Sequence, residues 1–175
     1  MRAAALTPEV NAVLAEALPG FPAATGATSI TADGTPVGWN FTATDSDAVD
    51  AQGRPVDVWV YISVVRPSAA LNADTVVCAG GGWVACQERT LGDGTVLRSG
   101  LVRHEMQTDH AVVTATTPFA FAVLPDGRLV DARSSVNWGP DAIEGDFTLA
   151  TGHPLTVEAL EELVTSPQLE QLPVP

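Results

Sequence analysis

The chain contains no lysine. Its eight basic residues are all arginine, set against 21 acids in 175 residues, and the formal charge at neutral pH is −13. Those arginines, at 2, 54, 66, 89, 98, 103, 128 and 133, are scattered and form no basic run. Binding to nucleic acid or to anionic lipid needs clustered cations that displace counterions, so both partner classes are set aside. The acid excess is modest for a salt-adapted protein. Missing lysine beside abundant Ala, Val, Gly, Pro, Asp and Arg fits the codon usage of a GC-rich genome. No stretch of 18 consecutive apolar residues exists, which excludes a helical membrane span. The first twenty residues, interrupted by Thr7, Pro8, Glu9 and Asn11, lack the continuous apolar segment of a signal peptide.

Charged residues are also few, at 17%, whereas 46% of the chain is apolar and four tryptophans and five phenylalanines need burial. Wholesale disorder is therefore excluded. Surface scaling for this mass gives about 8,000 Å² folded against about 26,000 Å² unfolded, enough for one core. The expectation is a single domain over residues 1–175.

Cysteine is scarce. Cys78 and Cys86 lie in VVCAGGGWVACQER, with three consecutive glycines between them. Their separation does not match the C-x-x-C spacing of redox or zinc motifs. It suits a disulfide-closed loop whose glycines supply positive φ, which would place the domain in an oxidising compartment. The alternative is two buried thiols in a cytosolic protein.

Periodicity divides the chain into three parts. Residues 7–18 read as a helix, with Thr7 as N-cap, Pro8 at the first position and Glu9 near the positive end. Val10, Val13, Leu14, Ala17 and Leu18 form one apolar stripe. From about 27 to 138 the pattern alternates with period two. The strand segments are 37–44, 56–65, 75–79, 83–91, 95–106, 111–124 and 128–138, separated by Asp33-Gly34, Gln52-Gly53, Asp93-Gly94 and Asp126-Gly127 turns. Val56, Val58, Val60, Ile62 and Val64 mark a buried face; Asp57, Trp59, Tyr61 and Ser63 mark the other. Pro118 is expected to bend or break its strand. A second helix is expected at about 155–165, capped by Thr156, with a loose tail at 167–175. The fold class is α+β: an antiparallel β-meander of about six or seven strands flanked by an N-terminal and a C-terminal helix.

Four segments carry a resemblance: TPEVNAVLAEALPG, the cysteine pair followed by RTLGDGTVL, the VLPDGRLVDARSSVN hairpin, and the closing PLTVEALEELVTSPQL. They resemble a family of secreted or membrane-anchored, lipoprotein-like extracytoplasmic proteins of high-GC Gram-positive bacteria. A Leu-Pro-Asp-Gly turn and a terminal helix opened by Pro-Leu-(Ser/Thr) recur there. Gly92 departs from the proline often found at the first turn. The resemblance implies an extracytoplasmic domain and brings no catalytic residues.

Candidate chemistry is sparse. His104, Glu105, Asp109 and His110 form a dense polar cluster, but His-x5-His is not the spacing of a helical zinc pair. Asp45, Asp47 and Asp50 resemble a calcium loop in composition, yet position 5 is Val49, position 6 is Asp50 and position 12 is Val56. These five, Asp45, Asp47, Asp50, His104 and His110, stand as weak metal candidates against the reading of solvated turns, and no cofactor is expected. None of the eight serines occupies a G-x-S-x-G elbow, and the glycine run lacks the Lys-Ser/Thr of a phosphate loop. Trp83, beside Gly81 and Gly82 inside the cysteine loop, is the best contact anchor for a partner; the opposing reading places all four tryptophans in the core.

These observations lead to an expected non-enzymatic extracytoplasmic domain with an interaction, sensing or structural role at the cell envelope, its partner a protein or envelope component. The alternatives are a hydrolase with an unrecognised site and a cytosolic partner-binding protein with reduced cysteines.

Overall fold

A computed structural model describes residues 3–68, 78, 83–107, 112–137 and 145–175. The order of elements is a 3₁₀ turn (Ala3–Leu6), α1 (Thr7–Ala17), β1 (Ala24–Ala32), β2 (Thr35–Asp45), β3 (Asp57–Val65), β4 (Trp83–Thr90), β5 (Val96–Gln107), β6 (Val112–Val123), β7 (Leu129–Asn137), β8 (Gly145–Phe147), α2 (Val157–Val164) and α3 (Pro167–Glu170). This is the expected α+β fold: seven antiparallel strands with helices at both ends. The strand segment expected at 75–79 falls, apart from Cys78, outside the described residues.

The strands form one sheet in the order β1-β2-β3-β7-β6-β5-β4, with β8 joining β6 in parallel. Two meanders are thus laid side by side. β1-β2-β3 runs outward from the N-terminus, and the chain re-enters at the far edge as β4 before β5, β6 and β7 return to pair with β3. Turn chemistry sets each hairpin. Asp33 and Gly34 both have positive φ, +50° and +76°, as a tight two-residue turn requires. Asp50, Asp93 and Asp126 each accept the backbone N–H two residues on, at 2.8, 2.9 and 3.0 Å. Part of the chain's acidity is therefore spent closing turns.

The expected faces are realised. Val58, Val60, Ile62 and Val64 are fully buried with Phe41, Val130, Ala132 and Leu97 on the face covered by the helices. Val10, Val13, Leu14 and Ala17 supply the α1 stripe, and Leu160, Leu163 and Val164 supply that of α2. Thr156 caps α2 by accepting the N–H of Ala159 at 3.1 Å. At α1 the cap differs from expectation: Leu6 is the N-cap and Thr7 is already helical. The preceding 3₁₀ turn leads the backbone directly into the helix, so no side-chain cap forms.

Three further points correct the sequence reading. The tail is docked, not loose: Pro167–Glu170 forms a helical turn and Leu169 and Leu172 are buried, because two apolar residues three apart can reach the α1 side of the core. β1 is a strand of small and polar residues whose apolar alternation is too weak to read. β8 lies inside the glycine- and acid-rich connection at 139–153, where only Phe147 offers an apolar anchor.

Pro118 does not break β6, which continues from 112 to 123. It marks where β6 and β7 part. Phe119–Val123 pair with β7, whereas Val113–Ala115 pair with β8. A proline has no N–H to offer a neighbouring strand. Side chains close the fork instead: Thr117 Oγ1 donates to the Ser134 carbonyl at 3.0 Å, and Ser134 Oγ donates to the Pro118 carbonyl at 2.6 Å.

Candidate functional site

The sheet face away from the helices carries the residues with chemistry to offer. Cross-strand pairing builds two rows. Tyr61, Arg133, Phe119, Gly100 and Cys86 align along one; Asn40, Ser63, Asp131, Phe121 and Arg98 align along the next.

At the β4 end the face is aromatic. Trp83 packs its ring on Phe119 at 4.3 Å between centroids and on Phe121 at 6.3 Å, with Phe119 and Phe121 5.3 Å apart. Phe119 and Phe121 are buried, and Trp83 is half-buried. The anchor proposed for a partner is therefore not free-standing: the two phenylalanines of β6 give it an apolar bed. The exposed apolar side chain here is Val84, 57% accessible. Gly81 and Gly82 lie outside the described residues. Cys78 and Cys86 stand at disulfide distance, their Cα atoms 5.5 Å apart, and Cys86 sits within β4 opposite Gly100.

Toward the centre the face turns polar. Ser63 Oγ lies 3.1 Å from Asn40 Oδ1, and the Asp131 carboxylate receives Arg133 through Nε at 3.3 Å and Nη2 at 3.1 Å. Burial raises the Asp131 pKa, opposed by the Arg133 charge and the Arg133 hydrogen bonds. The Arg133 guanidinium lies 5.8 Å from the Phe121 ring centroid, and Trp59 meets Tyr61 edge to face at 6.0 Å. A depression of about 330 Å³ opens here, lined by Asn40, Tyr61, His104, Arg133, Ser134 and Ser135. Burial lowers the His104 pKa, so the ring enters this depression neutral at pH 7.

Asp50 is buried and committed to the N–H groups of Gln52 and Arg54 and to the Arg54 side chain. Desolvation raises its pKa, and the Arg54 and Gln52 bonds outweigh that to lower it overall. Asp45 accepts the N–H of Asp47 and faces His153 Nε2 at 3.4 Å. His104 lies in β5, far along the sequence from this loop. Asp109 and His110 lie outside the described residues, as does Trp138. Among the described residues no three His, Cys, Asp or Glu side chains are grouped to hold a metal ion. Likewise among them, no helix is long and apolar enough to cross a membrane.

Of the other tryptophans, Trp39 is buried in the core and Trp59 is half-buried. Sequence reasoning missed Asn40, Tyr61, Asp131, Arg133 and Ser135. The available signal was LVDARSSVN, where Asp131, Arg133 and Ser135 alternate with apolar Val130 and Ala132 and so share one face. Comparison with protein-family models, curated proteins and solved structures found no match to this chain.

Proposed function

We propose that the chain is a non-enzymatic extracytoplasmic domain of a secreted or membrane-anchored cell-envelope protein, serving interaction or sensing through the open face of its sheet. The carrying observation is the Cys78–Cys86 pair, at bonding distance beside the Trp83–Phe119–Phe121 cluster. Disulfides persist in oxidising compartments and are rare in the cytosol. A cross-link at the root of β4 holds Trp83 and exposed Val84 at one edge of the sheet, where a partner could contact both. The sequence resemblance to extracytoplasmic proteins agrees with this reading.

Intact mass of the protein isolated from its native cells, before and after reduction and with the cell fraction recorded, tests the proposal. A gain of about 2 Da on reduction, in protein from the envelope or medium, is the expected result for one S–S bond. Unchanged mass in protein recovered from the cytosol would overturn it.

A further inference from the structure

The central depression holds more hydrogen-bonding capacity than the protein itself uses. Buried and half-buried polar groups are ordinarily satisfied within the fold, as the Asp50 carboxylate with three donors and Glu161 with two illustrate. Around the depression the pattern reverses. Among the described residues, the hydroxyls of half-buried Tyr61 and Ser135 have no side-chain hydrogen bond, and neither has the more exposed His104 ring. Asn40 uses its carbonyl oxygen with Ser63 and keeps its amide N–H groups. Arg133 presents Nε and Nη2 to Asp131, which leaves the Nη1 end of the fork available. In the same corner Trp59, cross-strand partner of Ser135, buries an indole N–H that has no partner.

We propose that this depression is a binding site for a small monoanionic organic carboxylate, its carboxylate held by the free end of the Arg133 guanidinium and its body lying along Tyr61. Three features select that class. The surplus is rich in donors, and a planar guanidinium matches a carboxylate through two parallel hydrogen bonds. Among the described residues no carboxylate lines the depression, and Arg133 is the one permanent charge of its lining. Asp131 occupies only the Nε side of the Arg133 fork, while neutral His104 adds a hydrogen bond and no second charge. One cation among neutral donors suits a monoanion better than a phosphate dianion. Tyr61, held edge-on by Trp59, supplies the flat wall for an apolar body. The volume, about 330 Å³, lies at the small end of ligand sites. This assignment goes beyond the envelope reading and does not depend on the compartment.

The test is titration of the full chain with benzoate, its neutral isostere benzamide, and inorganic phosphate, followed by amide and indole NMR shifts. Benzoate is expected to give saturable shifts at the Trp59 indole and the amides of Arg133, Ser134 and Ser135, with benzamide binding at least about tenfold more weakly. Replacing both members of the ion pair, Asp131→Asn with Arg133→Gln, should abolish the preference for benzoate without leaving a buried unpaired charge. Ser135→Ala, which removes one donor and no charge, is a second variant expected to fold and to weaken benzoate several-fold. Equal binding of benzoate and benzamide would overturn the proposal. So would tighter binding of phosphate, or the absence of saturable shifts at these residues with every probe.

Discussion

Trp39, in the middle of β2, donates its indole N–H to the carbonyl of Pro173 at 2.7 Å, 134 residues further along the chain. Arg128 Nη1 lies 3.4 Å from the next carbonyl upstream, that of Leu172. With Leu169 and Leu172 buried, the C-terminal segment is a structural part of the core. Trp39→Phe would leave the Pro173 carbonyl unpaired at a part-buried position and is expected to cost about 1–3 kcal/mol. Removing residues 167–175 should cost more, since burying two leucines alone contributes about 3–6 kcal/mol. Urea denaturation of both variants checks this; a truncated chain as stable as the intact one would show that the tail does not support the core.

Gly100 occupies a position only glycine fits. Its φ is +154°, and a Cβ there would lie 1.9 Å from the carbonyl oxygen of Ala85, next to the register shift in β4. Gly100→Ala must push β4 away from β5. The expected result is a loss of several kcal/mol, against about 1 kcal/mol for Gly94→Ala, whose φ is +92° but whose surroundings are open to within 3.8 Å. Thermal melts of the two variants compare backbone strain with steric exclusion directly.

α2 is tied to the sheet by one carboxylate. Glu161 accepts the Ser99 hydroxyl of β5 and the Arg89 guanidinium of β4, the latter at 2.6 Å. Ser99 is buried beneath the helix, whereas Arg89 is exposed. Glu161→Ala is expected to cost about 1–3 kcal/mol, chiefly through the unpaired Ser99 hydroxyl. Glu161→Gln retains an acceptor and should recover most of that, because an exposed ion pair contributes about 1 kcal/mol or less. Denaturation in low and high salt separates the two contributions; a strong salt dependence would assign the stability to Arg89 instead.

His153 makes stability depend on pH. Its Nδ1 accepts the Leu155 N–H at 3.2 Å, and Nε2 faces Asp45. Burial lowers the pKa, and the Asp45 charge and hydrogen bond only partly restore it. The folded state therefore favours the neutral ring. Between that depressed value and the unfolded value of about 6.5 the unfolded chain binds more protons, so stability falls as pH drops through this window. His104, also lowered, adds to the same slope. His153→Asn keeps an acceptor for Leu155 and should flatten the dependence of the urea midpoint between about pH 5 and 7. An unchanged slope would mean that Asp45 stabilises the charged ring as much as burial opposes it.

Much of the fold was legible from local chemistry. The stripe Val10, Val13, Leu14, Ala17, the alternation through Val56 to Val64, the Asp-Gly turns and the Thr156 cap each depend on residues within a few positions of one another. β1 escaped because its residues are small and its faces are nearly equivalent, so period two leaves no trace. The Thr7 cap was misread because a 3₁₀ turn and a capping residue look alike until the backbone is traced. Of the three aspartates that resembled a metal loop, Asp45 and Asp50 accept backbone N–H groups two residues on, a role that composition alone does not reveal.

The linear pattern of apolar and turn residues thus determined the α+β class, the hairpins, the buried face of the sheet and the cysteine pair, because each is encoded over a span shorter than one element or loop. Only the tertiary structure decided that β3 pairs with β7, that the sheet forks at Pro118, and that Asn40, Tyr61, His104, Arg133 and Ser135 surround one depression. Those residues come from four strands spread over 96 positions of chain, from 40 to 135. No local preference records which strand becomes whose neighbour; that choice belongs to the burial of the whole apolar face at once.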